Sequence, residues 1–159
     1  MSWIKVEIPV NGLENKYTIL RTLYNIDKLS EEAITYASEG RILKVEKVFE
    51  VREVNLETGI ERRLTPIDVV RLSSSKEKIF FFTITIKYYK KGCERKEGLR
   101  ADKYLLKIVL EEDKVLMLVR HREGLCRTLE EDILEKLERK ILLALSNKRA
   151  VGDGGKNHF

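Results

Sequence analysis

The chain has 159 residues, 43% of them hydrophobic, the size and apolar content of one ordinary domain with one sizeable core. Charged residues of both signs make up 36%, glutamine is absent and there are only two prolines; this is the composition expected of a thermophile protein, where surface ion pairs gain weight and thermolabile amides are avoided. Met1 to Lys5 lacks the parts of a signal peptide and no apolar run approaches the roughly 18 residues of a membrane span, so the expectation is a cytoplasmic protein with no membrane contact, whose two cysteines are ordinarily free thiols.

Residues 3–10 alternate, with Trp3, Lys5 and Glu7 on one side and Ile4, Val6 and Ile8 on the other, and stop at Pro9 and Asn11-Gly12. That pattern predicts a half-buried strand. Ile19, Leu20, Leu23 and Tyr24 follow at helical spacing, and Ser30 ahead of Glu31 and Glu32 reads as the cap of a second short helix closed by Gly40. From Arg41 the period is two, with Leu43, Val45, Phe49 and Val51 opposite Lys44, Glu46, Glu50 and Arg52, and a turn at Leu56 to Gly59 leads into a polar edge strand over 60–64. Thr65, Pro66 and Asp68 occupy the cap, first position and first turn of a short helix ahead of Val69, Val70 and Leu72.

Residues 79–89 form the most apolar run and predict a central strand, with Phe80, Phe82, Ile84, Ile86 and Tyr88 on one face. Residues 104–111 and 114–121 predict a hairpin turning at Glu112-Asp113, which sets Leu110 against Val115, Ile108 against Met117, Leu106 against Val119 and Tyr104 against His121. Thr128 and Glu131 read as a capping box for a long helix whose stripe runs through Leu129, Ile133, Leu134, Leu137, Ile141, Leu142 and Leu145. One α+β domain over 1–149 is expected, with a flexible, glycine-rich tail over 150–159. It has a mainly antiparallel sheet of about five to six strands, two short N-terminal helices and a long C-terminal helix packed on one face. This element order resembles the helix-grip (START-like) fold over nearly the whole chain, which implies an apolar ligand held between a curved sheet and the last helix. The helix at Pro66 leaves five strands after the two N-terminal helices where that fold has six.

Residues 87–103 hold seven Lys/Arg against three Asp/Glu, and residues 120–127 three against one, a local excess of six positive charges where the whole chain carries five. Antiparallel pairing brings these two loops to the same end of the sheet. Lys87, Lys90, Lys91, Arg95, Lys96, Arg100, Arg120, Arg122 and Arg127 are there to neutralise phosphates, and Tyr89, with Tyr88 beside it, to stack bases.

Cys93 and Cys126 lie in the same two loops and are candidates for a disulfide closing about 33 residues. Neither belongs to a CxxC and a fourth ligand is missing beside His121, so no metal is expected. His121 facing Tyr104, with Cys126 or Arg122 near, offers groups for acid–base or nucleophilic chemistry, but such a pair across two strands is more often structural. No Walker loop, dinucleotide fingerprint, GxSxG or HExxH occurs. The reading is a non-enzymatic binding protein without cofactor that contacts RNA or DNA through a basic sheet end. The alternatives are a carrier of an apolar ligand lined by Phe80, Ile84, Ile108 or Met117, and a homodimer or larger assembly joined through Val109, Leu116 and Leu118.

Overall fold

A computed structural model of the chain describes residues 2–36, 40–92 and 98–157, with side chains described as far as Lys148. The order is β1 (Ile4–Ile8), α1 (Lys16–Ile26), β2 (Ser30–Tyr36), β3 (Ile42–Val54), β4 (Glu61–Arg63), α2 (Pro66–Ser74), β5 (Ile79–Lys90), β6 (Gly98–Leu110), β7 (Val115–Glu123) and α3 (Glu130–Asn157). The fold is α+β. All its strand pairs are antiparallel, in the order β1-β7-β6-β5-β3-β2, and β4 extends the β3 edge beyond β2.

Alternation decides which side chains the helices cover. Val45, Phe49 and Val51 of β3, Phe82, Ile84, Ile86 and Tyr88 of β5, Leu106, Ile108 and Leu110 of β6 and Val115, Met117 and Val119 of β7 point inward. There they form one core with Ile19, Leu20, Leu23 and Ile26 of α1, Val69 and Leu72 of α2 and Ile133, Leu134, Leu137, Ile141 and Leu145 of α3. At about 1.5–3 kcal/mol for each large apolar side chain removed from water, this layer dominates the stability. Phe80, Ile84, Ile108 and Met117, the lining expected of an apolar carrier, are packed into it at 0–4% exposure. Lys16 ties the layers together from the start of α1, donating to the carbonyls of Ser75 and Glu77 at 2.6 Å each.

The β6–β7 hairpin has the register expected, from Tyr104 opposite His121 to Leu110 opposite Val115. The α2 cap is also as expected: the Asp68 amide donates to Thr65 Oγ1 at 3.3 Å, and the Thr65 amide to Asp68 Oδ2 at 3.0 Å. The Thr65 hydroxyl also donates to Asp68 Oδ2 at 2.7 Å, and this bond first, with those from the Thr65 amide and Arg71, holds the Asp68 carboxyl below the usual range.

Three elements differ from the sequence reading. Residues 30–36 are strand β2, not a second helix, paired throughout with residues 42–48 of β3. The 13-residue β3 presents an edge whose backbone groups need partners, and Ile34, Thr35 and Tyr36 are residues that favour strands. The strand–helix–helix opening on which the helix-grip resemblance rests is therefore absent. Second, α3 begins at Glu130, and the Thr128 hydroxyl is turned inward to Tyr88 at 2.7 Å. The first helical turn closes instead on the Leu129 carbonyl, 3.3 Å from the Ile133 amide. Finally, helical backbone continues to Asn157, through most of the segment read as a tail.

Candidate nucleic-acid interface

Asp102 is fully buried where the two basic loops meet, and it organises that end of the sheet. Its Oδ1 accepts from the Cys126 amide and its Oδ2 from the Arg127 amide, both at 2.7 Å, and His121 Nε2 lies 3.2 Å from Oδ1. The Tyr88 hydroxyl donates to Oδ2 at 2.7 Å. With that proton committed, the Tyr88 oxygen accepts from Thr128 Oγ1, also at 2.7 Å. Tyr104 donates to the Thr128 carbonyl and meets the His121 ring edge-on at 5.2 Å.

Gly124 makes this closure possible. It sits at φ +100°, and a Cβ there would lie 2.2 Å from Asp102 Oδ1. Cys126 also takes a positive φ, of 54°, to aim its amide at the carboxylate.

This geometry makes the buried groups a latch that fastens the 124–128 turn to the sheet. Tyr88 is fully buried and bonded to Asp102 and Thr128, an inward hydrogen-bonding group and not a stacking ring, and burial raises the Tyr88 and Tyr104 phenols above their ordinary pKa. The Cys126 thiol is pushed up to about 11, first by burial and then by Glu130, whose Oε1 lies 3.1 Å from Sγ. An activated nucleophile needs the opposite shift. Of the disulfide considered from sequence, Cys126 is a free thiol and Cys93 lies outside the described residues. Among the described residues, no group of three or more His, Cys, Asp or Glu is placed to hold a metal, and no helix is long and apolar enough to cross a membrane.

Among the described residues, the predicted basic side chains do not form one cluster. Lys87 pairs with Glu50 at 2.9 Å, and Lys91 with Glu32. Arg127 turns to the inner side, donating to Thr35 Oγ1 at 3.2 Å and the Tyr36 carbonyl at 2.7 Å. Lys90 pairs in register with Val45, and Arg100 is exposed near the start of β6. Arg95 and Lys96 lie outside the described residues. Tyr89, Lys87, Arg120 and Arg122 fall on the outer face of the sheet, where Tyr89 rests beside Gly98.

Among the described residues, that outer face carries no helix. At one side the arm between β3 and β4 folds over it: Glu61 accepts from Thr83 of β5 and Lys103 of β6, and Val54, Leu56 and Gly59 face Leu105 and Arg122 across a cleft of about 200 Å³. Burial pushes the Glu61 carboxyl up, but the bonds from Lys103 and Thr83 win and hold it below the usual range. Over β1, β7 and β6 the face stays open. Register and alternation place Lys5, Leu118, Lys107 and Phe81 in one row, and Trp3 and Arg120 in the next.

Two cation–ring pairs stand there, Arg120 at 4.8 Å from the Trp3 centroid and Lys107 at 5.7 Å from that of Phe81. Among the described residues, Lys5, Lys107, Arg120 and Arg122 make no carboxylate ion pair, in contrast to Lys87, Lys91, Lys103 and Lys136.

The chain matches no protein-family model, no curated protein and no solved structure. The site must therefore be read from its own chemistry. Lys5, Lys107, Trp3 and Phe81 join the candidate site only once the strands are in register, because a net charge summed along loops passes over them. Their signal was in the strands, where ring and cation share the outward phase.

Proposed function

We propose that this protein is a non-enzymatic binder of single-stranded RNA or DNA, and that the strand lies across the open sheet face and not around the sheet end alone. The observation that carries this reading is the pairing of outward aromatic rings with cations that meet no carboxylate among the described residues: Trp3 with Arg120, and Phe81 with Lys107. An antiparallel sheet with exposed rings stacks bases, and interleaved cations neutralise phosphates. Each cation is already held over a ring, which limits the side-chain ordering that binding would require. Arg122 at the end of β7 continues the track toward the loops first singled out by charge.

Trp3 is the only tryptophan, so its fluorescence reports occupancy directly. Mixed-sequence oligonucleotides are expected to quench it, with affinity falling as salt rises; three neutralised phosphates give a slope of about −2 in log K against log salt for a single strand. Combined Lys5→Glu, Lys107→Glu and Arg120→Glu should abolish binding, whereas Lys87→Glu with Lys91→Glu, which removes cations already paired, should weaken it only slightly. Absence of binding at low salt, or indifference to the triple reversal, overturns the reading.

Ile79, Val109 and Leu116 form an apolar row on the same face, next to the row that holds Leu118, which favours self-association as the second reading. A dimer in light scattering that shields Trp3, with no oligonucleotide affinity, would assign the face to another copy of the chain.

A further inference from the structure

On the opposite, helix-bearing side of the sheet, a cleft of about 370 Å³ opens between β2, β3 and the first turns of α3. Its volume falls at the lower end of the range for small-molecule sites, about 300–1,000 Å³. Lys47 lies in it, opposite Glu31 on β2 and Tyr88 on β5. Neither neighbour serves it. Glu31 accepts from Lys136 of α3, whose ammonium also stands 5.3 Å over the Phe49 ring, and Tyr88 is committed to Asp102 and Thr128. Among the described residues, the Lys47 ammonium makes no hydrogen bond and no ion pair. Burial lowers its pKa from the ordinary lysine value, against the pull of Glu31 and Asp132, with Lys136 adding to the depression. A half-desolvated ammonium in a cleft, with its natural carboxylate drawn away by another lysine, lacks a counter-charge that a ligand can supply.

The remaining walls narrow the ligand class. Around Lys47 the four carboxylates of Glu31, Glu32, Asp132 and Glu135 outnumber the two further cations, Lys136 and Arg139, so a dianion such as phosphate meets more repulsion than a singly charged group. Ala33, Phe49 and Ile133 supply apolar surface beside the lysine. We infer that this cleft binds a small monocarboxylic acid, its carboxylate on Lys47 Nζ and its short apolar body against Ala33, Phe49 and Ile133. The site lies on the other side of the sheet from the proposed nucleic-acid face and stands or falls independently of it.

The test titrates hexanoate, acetate, 1-hexanol and inorganic phosphate separately into the full chain, following backbone amides and the Lys47 Cε resonance by NMR. Hexanoate is expected to produce saturable shifts centred on Ala33, Phe49, Thr128 and Ile133, with a Kd of about 1 mM or tighter. It should also raise the pH at which Lys47 loses its proton. Acetate, lacking the apolar body, and hexanol, lacking the charge, should each bind at least about tenfold more weakly. Lys47→Met, which keeps the length and removes the charge, should lose hexanoate by a similar factor while its spectrum stays folded. Equal binding of hexanol or phosphate, unchanged affinity in Lys47→Met, no rise in the Lys47 titration, or shifts elsewhere would each overturn the assignment.

Discussion

The two faces of one sheet make different uses of the same strands. On β5, Phe82 points into the helix layer and is fully buried, while its neighbour Phe81 points outward beside Lys107 and keeps part of its ring in water. The helix-covered face gains its stability from apolar area and closes its few polar groups on one another around Asp102. The open face keeps rings and cations that, among the described residues, have no carboxylate partner. Adjacent residues of the same type thus separate into core and surface by the twofold period of a strand alone.

The adjacent phenylalanines give the sharpest test of that division. Phe82→Ala should destabilise the fold by about 3–5 kcal/mol, the cost of a large cavity in a packed interior, measured by denaturant unfolding. Phe81→Ala should cost less than about 1 kcal/mol, since its ring is only partly buried, yet weaken oligonucleotide quenching of Trp3. Comparable destabilisation by both would mean that the outer face is part of the core and would break the comparison.

Asp102→Asn tests the polar part of the covered face and should cost about 2–3 kcal/mol. The carboxylate accepts one backbone amide on each oxygen, from Cys126 and from Arg127. An amide side chain presents a donor to one of those donors and leaves it buried and unpaired. The loss should appear as faster hydrogen exchange at Cys126 and Arg127. An unchanged protection pattern would show that the turn is held by its own backbone geometry and not by the latch.

Much of this arrangement was legible in the sequence where two signals agreed. The β6–β7 register followed from apolar pairs on one face and the Glu111–Lys114 charge pair on the other, and the α2 cap from three residues in their preferred positions. The reading failed where a local signal competed with a long-range one. Ser30, Glu31 and Glu32 resemble a helix start, but the unpaired edge of β3 claims them, and an edge cannot be seen before the sheet is assembled. Thr128 resembles a cap in the same local way, but its side chain turns inward to Tyr88, 40 residues away. The candidate site was legible in composition but not in place. Net charge marks residues 87–103 and 120–127, yet several of those cations are consumed by Glu50, Glu32 or backbone groups. Ion pairing, invisible in a charge count, decides which cations remain for a ligand.

Lys47 is the exception on the covered face, and the smallest predicted effect tests how it is accommodated. Its pKa is lowered in the folded chain, chiefly by burial, so the folded protein releases this proton more readily than the unfolded one. Its protonated form therefore opposes folding, and the wild type should gain stability as pH rises through the lowered folded value towards 10.5. Methionine at this position has no proton to lose and fits the same apolar path. Lys47→Met should therefore be more stable at neutral pH, by about 0.5–1 kcal/mol after allowing for solvent screening of a half-exposed charge, and the gap should close as pH approaches 10.5. Chemical denaturation of both proteins across that range measures the gap directly. A gap that is absent at neutral pH would mean that water already solvates the ammonium. One that widens with pH would reverse the sign of the linkage and remove the desolvated amine from the covered face.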